Sequence, residues 1–206
     1  MAIIVLEIIA PGLGHLPRAF ASLCVQQAHT ITIAMSEYAY DHGGKYPAGN
    51  SSTAIFQKLL DGKYVTDPKL FYVPMAGKTE PISGQSLKPE NVSWDITSGV
   101  DANSSEWTPL VFLTGYRVTY APGTAAVPII KPYPVFGKRR TWTEWWNGEP
   151  LRPPYVPGIA VGYINNSAVY KVLQGNSNTT TSDFIPSGFD PKGQIFQQLT
   201  PDGPLP

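Results

Sequence analysis

The feature that most constrains this chain is one long amphipathic segment in its first quarter. Between residues 18 and 41, apolar side chains recur at steps of three or four, which places them on one face of a helix. Gly43 and Gly44 follow as a stop signal. Residues 30–33 alternate in a β-like way, but the surrounding period predicts helix throughout. The apolar stripe consists of Phe20, Leu23, Cys24, Ala28, Ile31, Met35 and Tyr38.

A short and almost wholly apolar run precedes this helix. Residues 2–10 read Ala-Ile-Ile-Val-Leu-Glu-Ile-Ile-Ala, and Pro11 then interrupts any helix. Such a run extends only ~14 Å as a helix, whereas crossing a bilayer core takes about 20 residues. No Lys or Arg occurs before Arg18, so the basic region of a secretory signal peptide is missing. We expect a buried strand or packed helix end, or the remnant of a longer hydrophobic helix.

Charge and cysteine content exclude several classes of protein. The 206 residues carry 15 Lys+Arg and 15 Asp+Glu, a formal net charge of zero. A general nucleic-acid or anionic-membrane binder needs a basic surplus to neutralise phosphates, so no nucleic-acid partner is expected. A single cysteine, Cys24, excludes an intrachain disulfide and a multi-cysteine zinc site.

The sequence after residue 50 predicts a second helix and then a series of strands. Residues 51–53, Ser-Ser-Thr, are cap candidates for a second short helix that Gly62 ends. After residue 68 the chain changes to short apolar runs broken by some of its 21 Pro and 19 Gly, a pattern typical of antiparallel strands and long connections. The clearest strands are predicted at residues 110–120, 159–164 and 168–173.

Together these elements predict an α+β fold. Asn165 and Asn166 predict a hairpin turn between the last two strands, because Asn tolerates a positive φ. The long stretches 121–157 and 174–206 are predicted to be loops. We therefore expect residues 1–44 to form a hydrophobic segment and a helix, and residues 45–206 to form a globular head with an irregular C-terminal tail.

The sequence lacks a convergent set of catalytic groups. All three histidines lie in the first fifth of the chain, and neither glycine-rich phosphate-loop pattern is present. Three late aspartates match no defensible calcium-loop spacing. We expect no enzymatic activity, no cofactor and no metal. These histidines and aspartates are His15, His29, His42, Asp183, Asp190 and Asp202.

One aromatic cluster offers an alternative function. Residues 138–149 hold three of the five tryptophans, a basic triplet and two glutamates. Tryptophan faces beside acids occur in sugar-binding clefts, but they also cap cores and form protein interfaces. All three interpretations remain open for Trp142, Trp145 and Trp146.

Five Asn-x-Ser/Thr sequons mark possible glycosylation sites. A chain this rich in Asn, Ser and Thr also produces sequons by chance, so they indicate first of all a polar, hydroxyl-rich surface. The five are Asn50, Asn91, Asn103, Asn165 and Asn178.

Several of these features, in this order, resemble type IV pilin-like and type II secretion pseudopilin-like proteins of the planctomycete and verrucomicrobial branch. Residues 24–47 run from a cysteine through a helix to Tyr-Ala-Tyr-Asp and Gly-Gly-Lys-Tyr-Pro, which is similar to the family's post-membrane helix. Residues 60–74 resemble its segment ending in Phe-x-Cys-Pro. Residues 91–112 and 157–170 resemble its first strands and its closing hairpin. The resemblance implies a long N-terminal helix packed on an antiparallel sheet.

The sequence also departs from the family pattern. Residues 3–7, Ile-Ile-Val-Leu-Glu, mimic the family's Phe-Thr-Leu-Ile-Glu start, but no basic leader or glycine precedes them. Counted back from Cys24, Pro11 falls near the family's mid-helix proline, so residues 1–10 are expected to correspond to the rear of a truncated or degenerate prepilin helix. Val73 replaces the second cysteine, which removes the disulfide of some relatives.

The resemblance implies a structural subunit that forms a homo-oligomeric helical filament or a secretion pseudopilus. An extracellular or cell-surface location follows, with a periplasmic or inner-membrane-anchored form before assembly as the alternative. The rival interpretation is a secreted binding module that uses residues 142–146 for a carbohydrate or protein partner. The expected assembly interface consists of Ile3, Ile4, Val5, Leu6, Glu7, Ile8 and Ile9.

Overall fold

The computed structural model describes residues 16–75, 77–101, 103–124, 126–129, 158–172, 185 and 189–205. Among these residues, two α-helices precede a set of strands, and the larger sheet is antiparallel throughout. The predicted α+β class, with an N-terminal helix packed on an antiparallel sheet, is therefore confirmed.

The long helix α1 spans Leu16–Asp41, so the predicted helix is confirmed. The β-branched stretch stays helical, and the hydroxyls of Thr30 and Thr32 donate to the helix carbonyls of Gln26 and His29. Beyond the helix, Gly43 and Gly44 take positive φ angles of 64° and 83°, and the Gly44 N–H returns to the Ala39 carbonyl at 2.8 Å. This left-handed geometry favours glycine and ends the helix.

The second helix, α2, spans Ser52–Asp61 and is also confirmed. The Ser51 side chain caps it by accepting from the Ala54 N–H at 3.1 Å. Two buried hydroxyls then attach α2 to the rest of the fold. Ser52 donates to the Trp94 carbonyl at 2.7 Å, and Thr53 donates to the Pro201 carbonyl at 2.8 Å.

Eight strands follow in the described part of the chain. The six-stranded sheet has the order β6-β5-β2-β1-β7-β8, while β3 and β4 form a separate two-stranded ladder. Two single-turn 3₁₀ helices, Pro68–Phe71 and Pro89–Asn91, lie before the first strand. The strands are β1 Trp94–Ser98, β2 Pro109–Leu113, β3 Tyr116–Arg117, β4 Val127–Pro128, β5 Gly158–Tyr163, β6 Ala168–Val172, β7 Gln197–Thr200 and β8 Gly203–Pro204.

The β5–β6 hairpin is confirmed with the predicted turn. Asn166 adopts a left-handed φ of 61°, as the Asn-Asn sequence indicates. The Asn165 side chain accepts from the Ser167 N–H at 2.9 Å, which closes the turn locally. Ser36 of α1 donates to Asn166 Oδ1 at 3.0 Å, so the turn also contacts the helix.

Two predictions about the strands were wrong. The single strand expected at residues 110–120 ends at Leu113, because Gly115 takes a φ of 100° and turns the chain away into β3. The two stretches expected to be loop also contain strands, β4 in 121–157 and both β7 and β8 in 174–206. The sequence Gln-Gln-Leu-Thr of β7 carries little apolar alternation, and its pairing with the distant β1 makes it a strand.

The core lies between the helices and the sheet. Helix α1 packs on β2, β5 and β6, while α2 packs on β1 and β7. Strands β1, β2 and β5 bury residues on both sheet faces. Helix α1 approaches the sheet closely at Gly162 of β5, where a Cβ would meet Thr32 Cγ2 at 2.6 Å and the Ala28 carbonyl oxygen at 3.0 Å. The absence of a side chain at Gly162 lets α1 lie directly against the strand.

Candidate assembly surface

Helix α1 has one face in the core and one face in solvent. Cys24, Ala28, Ile31 and Met35 are fully buried against the sheet. Leu23, which the sequence placed in the apolar stripe, is 39% exposed, so that part of the prediction was wrong. Leu23 directly precedes Cys24 in the helix and lies at the margin of the buried stripe. The exposed face includes Ser22, Gln26, His29, Thr30, Glu37 and Tyr40.

A shallow, open groove of about 410 Å³ runs beside the first half of α1, next to the edge strand β6. Its walls are small or weakly polar side chains apart from one aromatic ring. They are Ala21, Ser22, Val25, Gln26, His29 and Tyr170. A second packed segment could approach the backbone of α1 closely here, because the side chains at residues 21 and 22 are short.

On its other side, α1 is tied to the loop after α2. The Gln27 amide donates to the carbonyls of Tyr72 at 2.9 Å and Lys69 at 3.4 Å. At the C-terminal end of α1, the ring of His42 stacks on Tyr38 with centroids 3.8 Å apart. The two Gln27 hydrogen bonds therefore attach α1 to the segment that follows α2.

The cysteine of α1 is chemically shielded. Cys24 is fully buried, and burial raises the pKa of its thiol to about 12. Since the thiolate is the nucleophilic form, a thiol in this environment is unreactive at neutral pH. Val73 is also fully buried.

We expect Cys24 to resist alkylation in the folded protein. Native protein at neutral pH should take up essentially no maleimide within the time that labels a denatured sample completely, because the thiol is both inaccessible and protonated. Intact-mass spectrometry of native and denatured samples measures this. Equal labelling rates in the two samples would contradict the burial of Cys24.

The residues expected to carry assembly and ligand binding lie outside the described residues. This holds for the apolar interface Ile3, Ile4, Val5, Leu6, Glu7, Ile8 and Ile9, and for Trp142, Trp145 and Trp146. Both sets therefore stay predictions. The structure does show the position of α1, the next helix after the apolar segment in the described residues.

The sequons differ in accessibility. Asn50, Asn103 and Asn165 are exposed. Asn91 is partly buried, and its side-chain amide donates to the Thr79 carbonyl at 3.1 Å, a bond that a glycan would disrupt. Asn178 lies outside the described residues.

In the described part of the chain, no three His, Cys, Asp or Glu side chains are grouped so that they could hold a metal ion. Asp190 and Asp202 are exposed, while His15 and Asp183 lie outside the described residues. Neither α1 nor α2 combines the length and hydropathy that a bilayer-crossing helix requires.

A polar cluster that the sequence did not predict is formed by the buried residues Asp95, Thr97, Thr114 and Gln198 and the partly buried Tyr120, and is called here the Asp95 cluster. Asp95 is 1% exposed, and its Oδ2 accepts from Gln198 Nε2 at 2.7 Å. The same Nε2 donates to the Tyr116 carbonyl at 2.6 Å, and Gln198 Oε1 accepts from the Val118 N–H at 3.0 Å. The Tyr120 hydroxyl donates to Thr97 Oγ1 at 3.0 Å. One glutamine side chain thus joins β7 to β1 and to the segment that begins with β3.

Comparison with protein-family models, with curated proteins and with solved structures finds no match to this chain.

Proposed function

We propose that this protein is a non-catalytic structural subunit of an extracellular filament or of a secretion pseudopilus, with the pilin-like fold that its sequence resembles. The observation that supports it best is the placement of α1. A helix of 26 residues lies with one face on an antiparallel sheet and leaves the other face exposed, and it begins six positions after the end of a strongly apolar segment of the sequence.

In this proposal, burial of the apolar segment drives assembly. Six of the seven residues from Ile3 to Ile9 are aliphatic. The inner face of α1 and the residues of β1, β2 and β5 are already buried within the head. In this proposal the segment is covered by neighbouring copies. A contact repeated head to tail without closing produces a helical filament.

The exposed face of α1 is the surface on which such copies would pack. Its short side chains at Ala21 and Ser22 permit close helix–helix approach, and the groove beside them is open to solvent. The extracellular or cell-surface location and the passage through the inner membrane before assembly belong to the same proposal.

Single introduced cysteines test this surface, because the only native thiol is buried. Ser22→Cys places a thiol on the exposed face of α1, and Ser83→Cys places one on the exposed loop before Pro89. In dilute monomer both should react with maleimide at similar rates. In sedimented polymer the Ser22→Cys thiol should be protected at least about tenfold, while the Ser83→Cys thiol stays reactive. Equal reactivity of the two in the polymer would contradict the α1 interface.

A further inference from the structure

The Asp95 carboxyl group is buried with only half of its hydrogen-bonding capacity used. Oδ2 accepts from Gln198, whereas Oδ1 has no hydrogen-bond partner among the described residues. An ionised carboxylate would leave a charged oxygen unpartnered in the core, while a protonated one leaves only a neutral hydroxyl there. The charged form is the costlier one to bury.

The charges around the cluster are mixed and only partly offset this cost. Burial raises the pKa of Asp95 to about 7, against the opposing effects of the nearby Thr114 hydroxyl and the Gln198 amide, which lower it. Lys78, whose own pKa burial lowers, favours the ionised carboxylate, and Asp202 disfavours it. Burial also raises the pKa of Tyr120. The charge of Glu90 raises the pKa of Lys78.

The cluster lies near one edge of the six-stranded sheet. Strand β7 is bordered by β1 and by β8, which has only two residues and is the last strand of the sheet order. Lifting the β7–β8 hairpin, residues 197–204, removes Gln198 from Asp95 and admits water to the carboxyl group. This opening does not break the packing of α1 on β2, β5 and β6. The free energy of the opening should therefore be smaller than that of unfolding the whole chain.

We propose that the Asp95 cluster is a pH-dependent latch that holds the β7–β8 hairpin to β1, tight while Asp95 keeps its proton and weaker once it ionises. In the opened state the carboxyl group is hydrated and ionises near its ordinary pKa of 3.8, whereas in the closed state it keeps its proton to about pH 7. The opened state therefore loses its proton first as pH rises. Opening becomes more favourable by up to about tenfold per pH unit between these two values, and levels off above the higher one.

Hydrogen exchange at residue resolution tests the latch on the whole chain. Protection factors, corrected for intrinsic exchange at each pH, are measured between pH 4.5 and 8. The β7 amides should be less protected than those of β2 and β5 at every pH. Their protection should fall by on the order of a hundredfold up to neutral pH and then become constant.

Asp95→Asn is the decisive variant, since it keeps the shape of the side chain and cannot ionise. Its β7 protection should be independent of pH, although Lys78, His29 and His42 remain in place. Asp190→Asn removes an exposed carboxylate outside the cluster and should retain the wild-type profile.

Three results would overturn the latch. These are a wild-type β7 protection that does not change with pH, β7 protection equal to that of β2 and β5, and a pH dependence that survives in Asp95→Asn. The first two need only the unmodified protein, so a folding defect in the variant leaves them decisive.

Discussion

Replacing both Ile4 and Ile8 with Ser is expected to abolish filaments without unfolding the head. Burying the six aliphatic side chains between Ile3 and Ile9 contributes on the order of 10 kcal/mol per subunit before association costs, at ~1.5 to 3 kcal/mol each. Removing two of them takes about a third of this driving force and adds two hydroxyls to an apolar contact. Because this driving force is lost at every subunit, the amount of filament should fall close to zero.

Negative-stain electron microscopy measures the filaments, and thermal unfolding followed by circular dichroism checks the head. The matched control is the pair Ile82→Ser and Ile195→Ser, which removes two isoleucines that are 63% and 90% exposed. The control should still assemble. Filaments of normal length in the Ile4 and Ile8 variant would refute the proposed contact.

Gly162→Ala is expected to lower the free energy of unfolding by ~1–3 kcal/mol, the cost of overpacking a well-packed core. The new Cβ would lie 2.6 Å from Thr32 Cγ2 and 3.0 Å from both Val111 Cγ1 and the Ala28 carbonyl oxygen. Thr32 cannot simply rotate away, because it is β-branched and its hydroxyl donates to the His29 carbonyl. Helix α1 must therefore move off β5.

A double-mutant cycle identifies the cause of this loss. Thr32→Ser deletes only the Cγ2 methyl and keeps the hydroxyl that donates to His29. In the Gly162→Ala background it should recover part of the lost stability, since the contacts with Ala28 and Val111 remain. Urea denaturation of the four proteins measures this. If the two changes prove additive, the α1–β5 contact is not the origin of the destabilisation.

The helices and the β5–β6 hairpin were predictable because their signals are local. The apolar period of α1, the Ser51 cap of α2 and the Asn165-Asn166 turn each act within a few residues. The local period also predicted correctly that the β-branched residues 30–33 are helical. The hydroxyls of the two threonines among them find acceptors within the helix.

The other features of the fold depend on contacts between residues that are far apart in the sequence. Residues 197–200 become a strand only because β1, about a hundred positions earlier, offers them an edge. The Asp95 cluster arises from the same pairing, as Gln198 reaches Asp95 across 103 positions. Gly162 looks like any strand glycine in the sequence, and its importance follows from the helix that crosses it. The hydrophobic periodicity of the sequence does not predict such long-range contacts.

The candidate assembly surface was predictable only in part. The sequence marks the apolar segment and the helix that follows it, and the structure shows which face of that helix is exposed. Leu23 shows the limit of the argument from spacing. The helical period places it beside the buried stripe, but only the packing of α1 on the sheet decides that it lies in solvent.

The central claim is that the apolar leading segment is covered by other copies of the chain. Sedimentation velocity of the unmodified protein over a wide concentration range tests it most directly. The account predicts large polymers that grow at the expense of monomer as concentration rises. A single species of 22.4 kDa at every concentration would contradict it.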